Sequence, residues 1–348
     1  MGNLFKKAVF FTDIHFGRNG DSVQANLDNL DFIDWFIDEG RTWGADAVIL
    51  LGDYFDNRHK VHVGTLDYAI KGLEKLGSAF EKVYTIVGNH DLLYRNKRDI
   101  SSMSIAKHIP NVVPIYEPTT FGEGKNGVTF LPWLVGEETK LLKRVNTRYV
   151  FAHAELNGGF MMNAKVTMPD HVAAASPDDL AKNDNLEYLF SGHFHFRQGK
   201  GKVLYIGNPF PFNFADAWDE DRGMMFLEWG KEPEFKAWPG QPLFRTFKLS
   251  ELLDRPERLL REKLTARCTL DIDISYEEAQ VIKDTFVTEY GLRKIELMHA
   301  PRDVSDQEFS EDVVFQSVDQ IVVDGLMSIQ SSSLVPSTLV QIYKSLDL

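Results

Sequence analysis

Short apolar runs recur through the first two hundred residues, and each gives way to a polar break and then to helix-like spacing. The runs are Ala8-Val9-Phe10-Phe11, Ala47-Val48-Ile49-Leu50-Leu51, Val83-Tyr84-Thr85-Ile86-Val87, Tyr149-Val150-Phe151-Ala152 and Leu186-Glu187-Tyr188-Leu189-Phe190. Runs of this length, rich in β-branched and aromatic residues, read as buried strands. Between the first two, Leu27, Leu30, Ile33, Trp35 and Ile37 suggest a helix; Leu66, Ile70, Leu73 and Leu76 suggest another after the second. This alternation predicts an α/β layered fold, and 348 residues suffice for one large domain and a smaller one.

A sixth run, Val203-Leu204-Tyr205-Ile206, leads into Gly207-Asn208-Pro209-Phe210-Pro211 and an aromatic stretch that ends near Gly240-Gln241-Pro242. A domain boundary is therefore placed at residue 240. From 241 to 302 a strand-like segment at 268–274, helix-like spacing over 276–289 and a second strand-like segment at 293–298 predict a small α+β domain. Over 303–348, Val314, Val318, Ile321, Val322 and Ile329, then Leu339, Ile342, Tyr343 and Leu346 after Pro336, predict a terminal helix-loop-helix.

Each of the first five runs ends in a polar cluster. Thr12-Asp13-Ile14-His15 follows the first, Gly52-Asp53-Tyr54-Phe55-Asp56 the second, Gly88-Asn89-His90-Asp91 the third, His153 the fourth and Ser191-Gly192-His193-Phe194-His195 the fifth. Ligands of α/β sheets gather at the carboxyl ends of strands, so these clusters are expected to converge on one edge. A lone histidine at a strand end is most often structural, but five of the chain's ten histidines fall here. Along an extended segment alternate residues point the same way, which would let Asp13 with His15, and His193 with His195, each present two ligands. Asp53, with no second ligand in its turn, is the natural bridge. Two overlapping metal sites result: Asp13, His15, Asp53 and His195 in one; Asp53, Asn89, His153 and His193 in the other.

The single cysteine, Cys268, excludes an internal disulfide and a Cys-rich zinc cluster, and fits a reducing compartment. Imidazole mixed with oxygen ligands favours Mn, Fe or Zn over Mg or Ca, and manganese is the expected ion. Two divalent cations roughly 3.5–4 Å apart suit phosphoester hydrolysis. The leaving alkoxide then needs a proton: His90, one residue past Asn89, is the expected acid, and Asp56 the carboxylate expected to hold its ring.

The ordered set Asp-x-His, Gly-Asp-x-x-Asp, Gly-Asn-His-Asp, a lone His and Gly-His-x-His resembles the calcineurin-like metallophosphoesterase superfamily over residues 8 to about 210. Within it, Gly52 to Arg58, Thr85 to Leu92, His153 to Gly158 and Asp221-Arg222-Gly223 look closest to SbcD/Mre-type DNA repair nuclease subunits, and closer still to T-even phage recombination endonuclease subunits. Archaeal and eukaryotic relatives often carry His where Asp56 stands, so Asp favours the bacterial and phage branch. The resemblance implies a layered metallophosphoesterase β-sandwich flanked by helices, with a small α+β capping domain at 241–302 that positions DNA and C-terminal helices that dock on a partner. It implies a manganese-dependent DNA exonuclease and endonuclease of recombination, repair and replication, acting with an SbcC/Rad-type coiled-coil ATPase and as a homodimer. It also gives His90 a catalytic role outside the ligand set.

A formal charge of −13 argues against broad adhesion to polyanions but leaves room for a local basic groove. Arg58 with Lys60, Arg95 with Lys97 and Arg98, and Arg197 with Lys200 and Lys202 each follow a metal motif; Arg58, Arg95, Lys97 and Arg197 are the expected DNA-backbone contacts. With no Gly-x-x-x-x-Gly-Lys-Ser/Thr segment, ATP dependence would come from a partner. No apolar stretch approaches the roughly 18 residues of a spanning helix and no signal-peptide layout opens the chain, so a cytoplasmic protein without membrane contact is expected, in the host cytoplasm for a phage gene product. Two other readings use the same residues: a metallophosphatase or cyclic-nucleotide phosphodiesterase, and a noncatalytic DNA-end binding scaffold.

Overall fold

The apolar runs are strands, arranged in two stacked sheets. In the computed structural model the strands, in chain order, are β1 (Lys7–Phe11), β2 (Ala47–Leu50), β3 (Val83–Ile86), β4 (Val112–Ile115), β5 (Thr119–Phe121), β6 (Gly124–Leu131) and β7 (Thr147–His153). They continue with β8 (Met161–Asn163), β9 (Val166–Thr167), β10 (Tyr188–Gly192), β11 (Gln198–Lys200), β12 (Val203–Tyr205), β13 (Gly223–Glu228) and β14 (Glu234–Ala237). A third group is β15 (Leu243–Lys248), β16 (Leu264–Leu270) and β17 (Lys294–His299), and the long helices are α1 (Val23–Trp43), α2 (Val63–Ala79) and α3 (Tyr276–Tyr290). The structure describes residues 2–299 apart from 159, 164–165 and 168–174, together with residue 326 and residues 336–344.

One six-stranded sheet runs β14-β13-β1-β2-β3-β4 and the other β11-β12-β10-β7-β6-β5. β1, β2, β3 and β4 run parallel, as do β12, β10, β7 and β6; antiparallel strands flank the first set on one side and the second on both. Phe10, Ile49 and Ile86 of the first sheet meet Phe130, Phe151 and Phe190 of the second in one buried cluster. The opposite face of the first sheet, with Val9, Phe11, Val48 and Leu50, packs on Phe32, Phe36, Leu73 and Leu76 of α1 and α2. The outer face of the second, with Val150, Ala152, Leu189 and Val203, is covered by Leu142, Phe160 and Leu180. Burial on both faces is why these strands read as unbroken apolar runs rather than as alternating ones.

The five runs therefore do not share one sheet edge. β1, β2 and β3 belong to one sheet and β7 and β10 to the other, and the site forms where the carboxyl ends of both sheets come together.

The segment after residue 240 forms the parallel sheet β15-β16-β17 with α3 between its last two strands. Leu264, Ala266 and Cys268 alternate into its own core with Phe286 and Ile295. The strand expected at 268–274 lies earlier in the chain. Beyond Leu270 the Asp271 carboxylate accepts from the Ser250 amide at 3.0 Å, and Ser275 and Glu278 close a capping box on α3, so Ile272 ends up exposed in a turn. This segment is tied to the sandwich: Arg293 grips Asp28 of α1 at 2.6 and 2.5 Å, and Lys263 meets Asp31 at 3.2 Å. Residues up to 299 form one compact unit. Of the helix-loop-helix expected over 303–348, the second helix is described, as Pro336–Lys344; the first lies outside the described residues, Leu326 apart.

Candidate metal centre

The loops leaving β1 and β2 keep pairing past the ends of their strands. The Asp13 amide donates to the Gly52 carbonyl at 3.0 Å, His15 to Asp53 at 3.1 Å and Phe16 to Tyr54 at 2.8 Å. The backbone does so in left-handed conformations, with φ of 51° at Asp13, 51° at His15, 50° at Asp53 and 85° at His193. Asp13 and His15 thus reach the same spot through a coiled loop, not through strand alternation. Each such residue costs on the order of 1–3 kcal/mol, and strain of this kind persists where surrounding structure fixes it for function.

The glycines of the motifs are forced by close approach. A Cβ at Gly88 would lie 2.1 Å from Asp53 Oδ1, and one at Gly192 would lie 2.1 Å from Thr12 Oγ1 and 2.8 Å from Asp13 Oδ2. Backbone from one loop has to touch the ligand of another, and only glycine leaves the space.

Three clusters result: one joins His15, Asp56 and His90, and the other two carry the expected ligands. Of these two, Asp13, His15 and His195 form one; Asp53, His153 and His193 form the other, the ligand atoms of each lying within 4.8 Å of one another. His15 Nε2 and His195 Nε2 face each other at 3.2 Å, and Asp13 Oδ1 is 3.9 and 3.7 Å from them. Asn89 Oδ1 is 3.0 Å from His153 Nε2 and 2.8 Å from His193 Nδ1. Asp53 Oδ2 stands between these two clusters, 3.9 Å from His15 Nε2 and 3.3 Å from His153 Nε2. Its other oxygen accepts from the His90 amide at 2.8 Å.

This donor set fits divalent cations. His153 Nδ1–H donates to the Leu51 carbonyl at 2.7 Å, which leaves Nε2 facing inward, and His15 Nε2 and His195 Nε2 turn toward each other at 3.2 Å, so that both ring nitrogens are aimed at the same point. Burial holds the pKa of His15 well below the ordinary imidazole range and lowers that of His195. At His153 burial also opposes charge, but the adjacent Asp53 carboxylate overcomes it and the pKa stands at about 9. Burial would raise Asp53 as well; His153, then His15 and His90, hold it instead far below the usual carboxylate value. One proton in the cluster thus sits where a cation would.

His90 and Asp56 meet differently from the expectation. His90 Nδ1–H donates to the backbone carbonyl of Asp56 at 2.6 Å, whereas the Asp56 carboxylate points to His15 Nδ1 at 3.5 Å. The Asp56 amide is fixed by the Phe16 carbonyl at 2.9 Å, and that pairing turns its carbonyl toward His90. Arg58 lies close enough to Arg95 and Asp53 to feel both: burial first, then Arg95, lowers its pKa, and Asp53 opposes them. Arg95 and Lys97 are exposed. Arg197 is not brought to the centre as a free cation, because Asp221 pairs with it and Phe235 lies 4.0 Å beneath it. Arg98 is held by Glu138 and the Trp133 carbonyl, and Lys200 and Lys202 donate to the carbonyls of Gly158 and Asn183.

Sequence reasoning missed several neighbours of the ligands. Glu155 Oε1 is 3.0 Å from His193 Nε2, and the Trp133 ring lies 5.1 Å from the His193 ring. The Phe212 ring abuts His15 and His195 at 5.8 and 5.7 Å and rests on the guanidinium of buried Arg18 at 4.4 Å. Buried Arg222 donates to the His195 carbonyl at 2.7 Å. Glu155, two residues after His153, and Arg222, in Asp221-Arg222-Gly223, lay in segments the sequence had singled out, whereas Trp133, Phe212 and Arg18 carried no signal.

The profile of the calcineurin-like phosphoesterase family matches residues 6–197. Exonuclease subunit 1 of Enterobacteria phage T4 is 30% identical over 235 residues, 66% of this chain and 67% of that protein. The SbcD component of nuclease SbcCD from Escherichia coli (strain K12) is 24% identical over 245 residues, 59% of this chain and 60% of that protein. Among solved structures, a dimetal phosphatase from Danio rerio has a TM-score of 0.46 at 12% identity, covering 68% of this chain and 96% of its own.

Proposed function

Because the chain belongs to the calcineurin-like phosphoesterase family, we propose that it is a manganese-dependent DNA phosphodiesterase, an exonuclease and endonuclease subunit of an SbcCD-type recombination and repair complex. The observation that carries the proposal is the pair of donor clusters meeting at Asp53 Oδ2, with His90 fixed beside them. Asp13, His15, Asp53 and His195 would hold one cation; Asp53, Asn89, His153 and His193 would hold the second. Bound cations would there supply charge neutralisation for the phosphate oxygens and a more acidic water as nucleophile.

The chain's own residues do the rest. His90, its Nδ1–H given to the Asp56 carbonyl, presents Nε2 to the leaving oxygen and gives it a proton. Fixing one nitrogen on a backbone carbonyl sets the ring plane, while the Asp56 carboxylate stands beside both His15 and His90. Arg58, Arg95 and Lys97 hold the DNA backbone on the Asn89 side of the centre through charge-assisted contacts. Arg197, already held by Asp221, is left out of that set. Residues 241–302 act as the DNA-positioning cap. The C-terminal helices dock on the SbcC/Rad-type ATPase, and Val23 and Leu27 of α1 with Val63 of α2, all exposed, belong to a homodimer contact. None of the described helices is long and apolar enough to cross a membrane; the complex acts on DNA in the cytoplasm, that of the host for a phage protein.

The test is cleavage of end-labelled double- and single-stranded DNA with manganese, beside a chelator control and Asp13→Ala. Cutting that needs the metal and disappears in the variant supports the proposal. Hydrolysis of a phosphomonoester or a cyclic nucleotide, with intact DNA under the same conditions, overturns it.

A further inference from the structure

Of the groups around the centre, Glu155 has no part in the reading above. Its carboxylate reaches His193 Nε2 at 3.0 Å, on the side of the ring away from the other ligands, while Nδ1 of the same ring is 2.8 Å from Asn89 Oδ1. The placement is built, since the peptide just before Glu155 is pinned at both ends. The Ala154 amide donates to Ser191 Oγ at 3.1 Å, and the Ala154 carbonyl accepts from the buried Tyr205 hydroxyl at 3.0 Å.

A neutral imidazole has one N–H, and here two acceptors compete for it. A carboxylate is the stronger acceptor, because a charge-assisted hydrogen bond is roughly twice as strong as a neutral one. The proton therefore sits on Nε2, and the Nδ1 lone pair faces Asn89 and Asp53. His153 reaches the same end by another route, with Nδ1–H given to the Leu51 carbonyl at 2.7 Å. The third case, His15 Nδ1, is buried without a hydrogen-bond partner, and its nearest carboxylate, Asp56, is 3.5 Å away.

We propose that Glu155 is a positioning residue for His193: it fixes the tautomer that turns Nδ1 toward the cluster and adds a negative charge behind one of the two cation sites but not the other. The proposal rests on the two-cation reading above. Carboxylates behind a metal-binding histidine raise its basicity and lock its ring, and their loss typically costs 10–100-fold in metal affinity.

The experiment uses the full chain, manganese(II) alone and no DNA. Wild type, Glu155→Gln and Glu155→Ala are titrated calorimetrically, and ¹⁵N-histidine spectra of the metal-free proteins are recorded above pH 8. The expected result is that Glu155→Ala weakens one binding event about 10–100-fold, leaves the other unchanged and moves the His193 proton to Nδ1. Glu155→Gln, which keeps an acceptor oxygen but not the charge, falls between. Unchanged affinity at both sites, equal weakening of both, or a His193 tautomer indifferent to Glu155→Ala would each overturn the assignment. A wild-type chain that binds fewer than two ions would fail the two-cation reading, and the tautomer spectra would still decide whether Glu155 sets the ring.

Discussion

His153 makes metal binding a proton exchange, and pH is the perturbation that exposes it. With its pKa at about 9 beside Asp53, His153 is neutral in only about 1% of metal-free molecules at pH 7. A cation has to displace that proton, which weakens apparent affinity on the order of 100-fold, or about 3 kcal/mol. His15 and His195, whose pKa values burial lowers, are already neutral and add no slope. Affinity for the cation held by His153 should therefore rise roughly ninefold from pH 7 to pH 8, continue to about pH 9 and then level off. The fold moves the opposite way. A pKa raised on folding contributes stability that is complete below the ordinary value of about 6.5 and is lost as pH rises through about 9, so the metal-free protein weakens over the range in which the metal-loaded one tightens. Manganese titrations in buffers of different ionisation enthalpy would count the proton directly, with close to one released at pH 7.5 by the ion that His153 holds and none by the other. Flat affinity between pH 7 and 8.5, or no proton released, would show that Asp53 does not hold His153 protonated and refute the reasoning.

Gly88→Ala should cost metal binding as well as activity, because the new Cβ falls 2.1 Å from Asp53 Oδ1; equilibrium dialysis with manganese showing full occupancy would contradict the close-approach argument. His90→Ala should lower the rate of DNA hydrolysis about 10²–10⁴-fold while manganese and DNA affinities stay at wild-type values; near-normal turnover would remove His90 from the proton transfer. A chain lacking residues 309–348 should keep hydrolysing DNA but no longer co-purify with an SbcC-type ATPase, and an unchanged pull-down would reject the docking role.

The alternation of strand and helix was legible because sheets covered on both faces print as continuous apolar runs, as Val9 to Phe11 and Ile49 to Leu51 do. Division into two sheets was not, since periodicity records how deeply a strand is buried and not which neighbour it pairs with. The edge strands β5, β11 and β14 leave little apolar signature: Gln198 to Lys200, for example, is a polar triplet held by pairing with β12. The strand expected at 268–274 failed for a related reason. Asp271, Ile272, Asp273 and Ile274 alternate as a half-buried strand would, yet the Ser250–Asp271 and Ser275–Glu278 hydrogen bonds claim the chain for a turn and a cap, and local side-chain bonding of that kind is invisible to a period count.

The centre was easier to foresee than the sheets, because its chemistry needs particular residue types and its geometry needs particular glycines. A Gly before Asp53, Asn89 and His193 looks like turn composition in the sequence; in the structure Gly88 and Gly192 are contact surfaces for ligands that come from other loops. What no spacing rule could give is the left-handed backbone at Asp13, His15, Asp53 and His193, for each is a local cost that only the assembled site offsets. The same holds for His90. A Gly-Asp-x-x-Asp motif suggests a carboxylate for the acid to lean on, but the peptide carbonyl of Asp56 takes that place, and every residue type has one. The sequence reports which side chains are needed, while the backbone that aims them is set by pairing between loops that lie far apart in the chain.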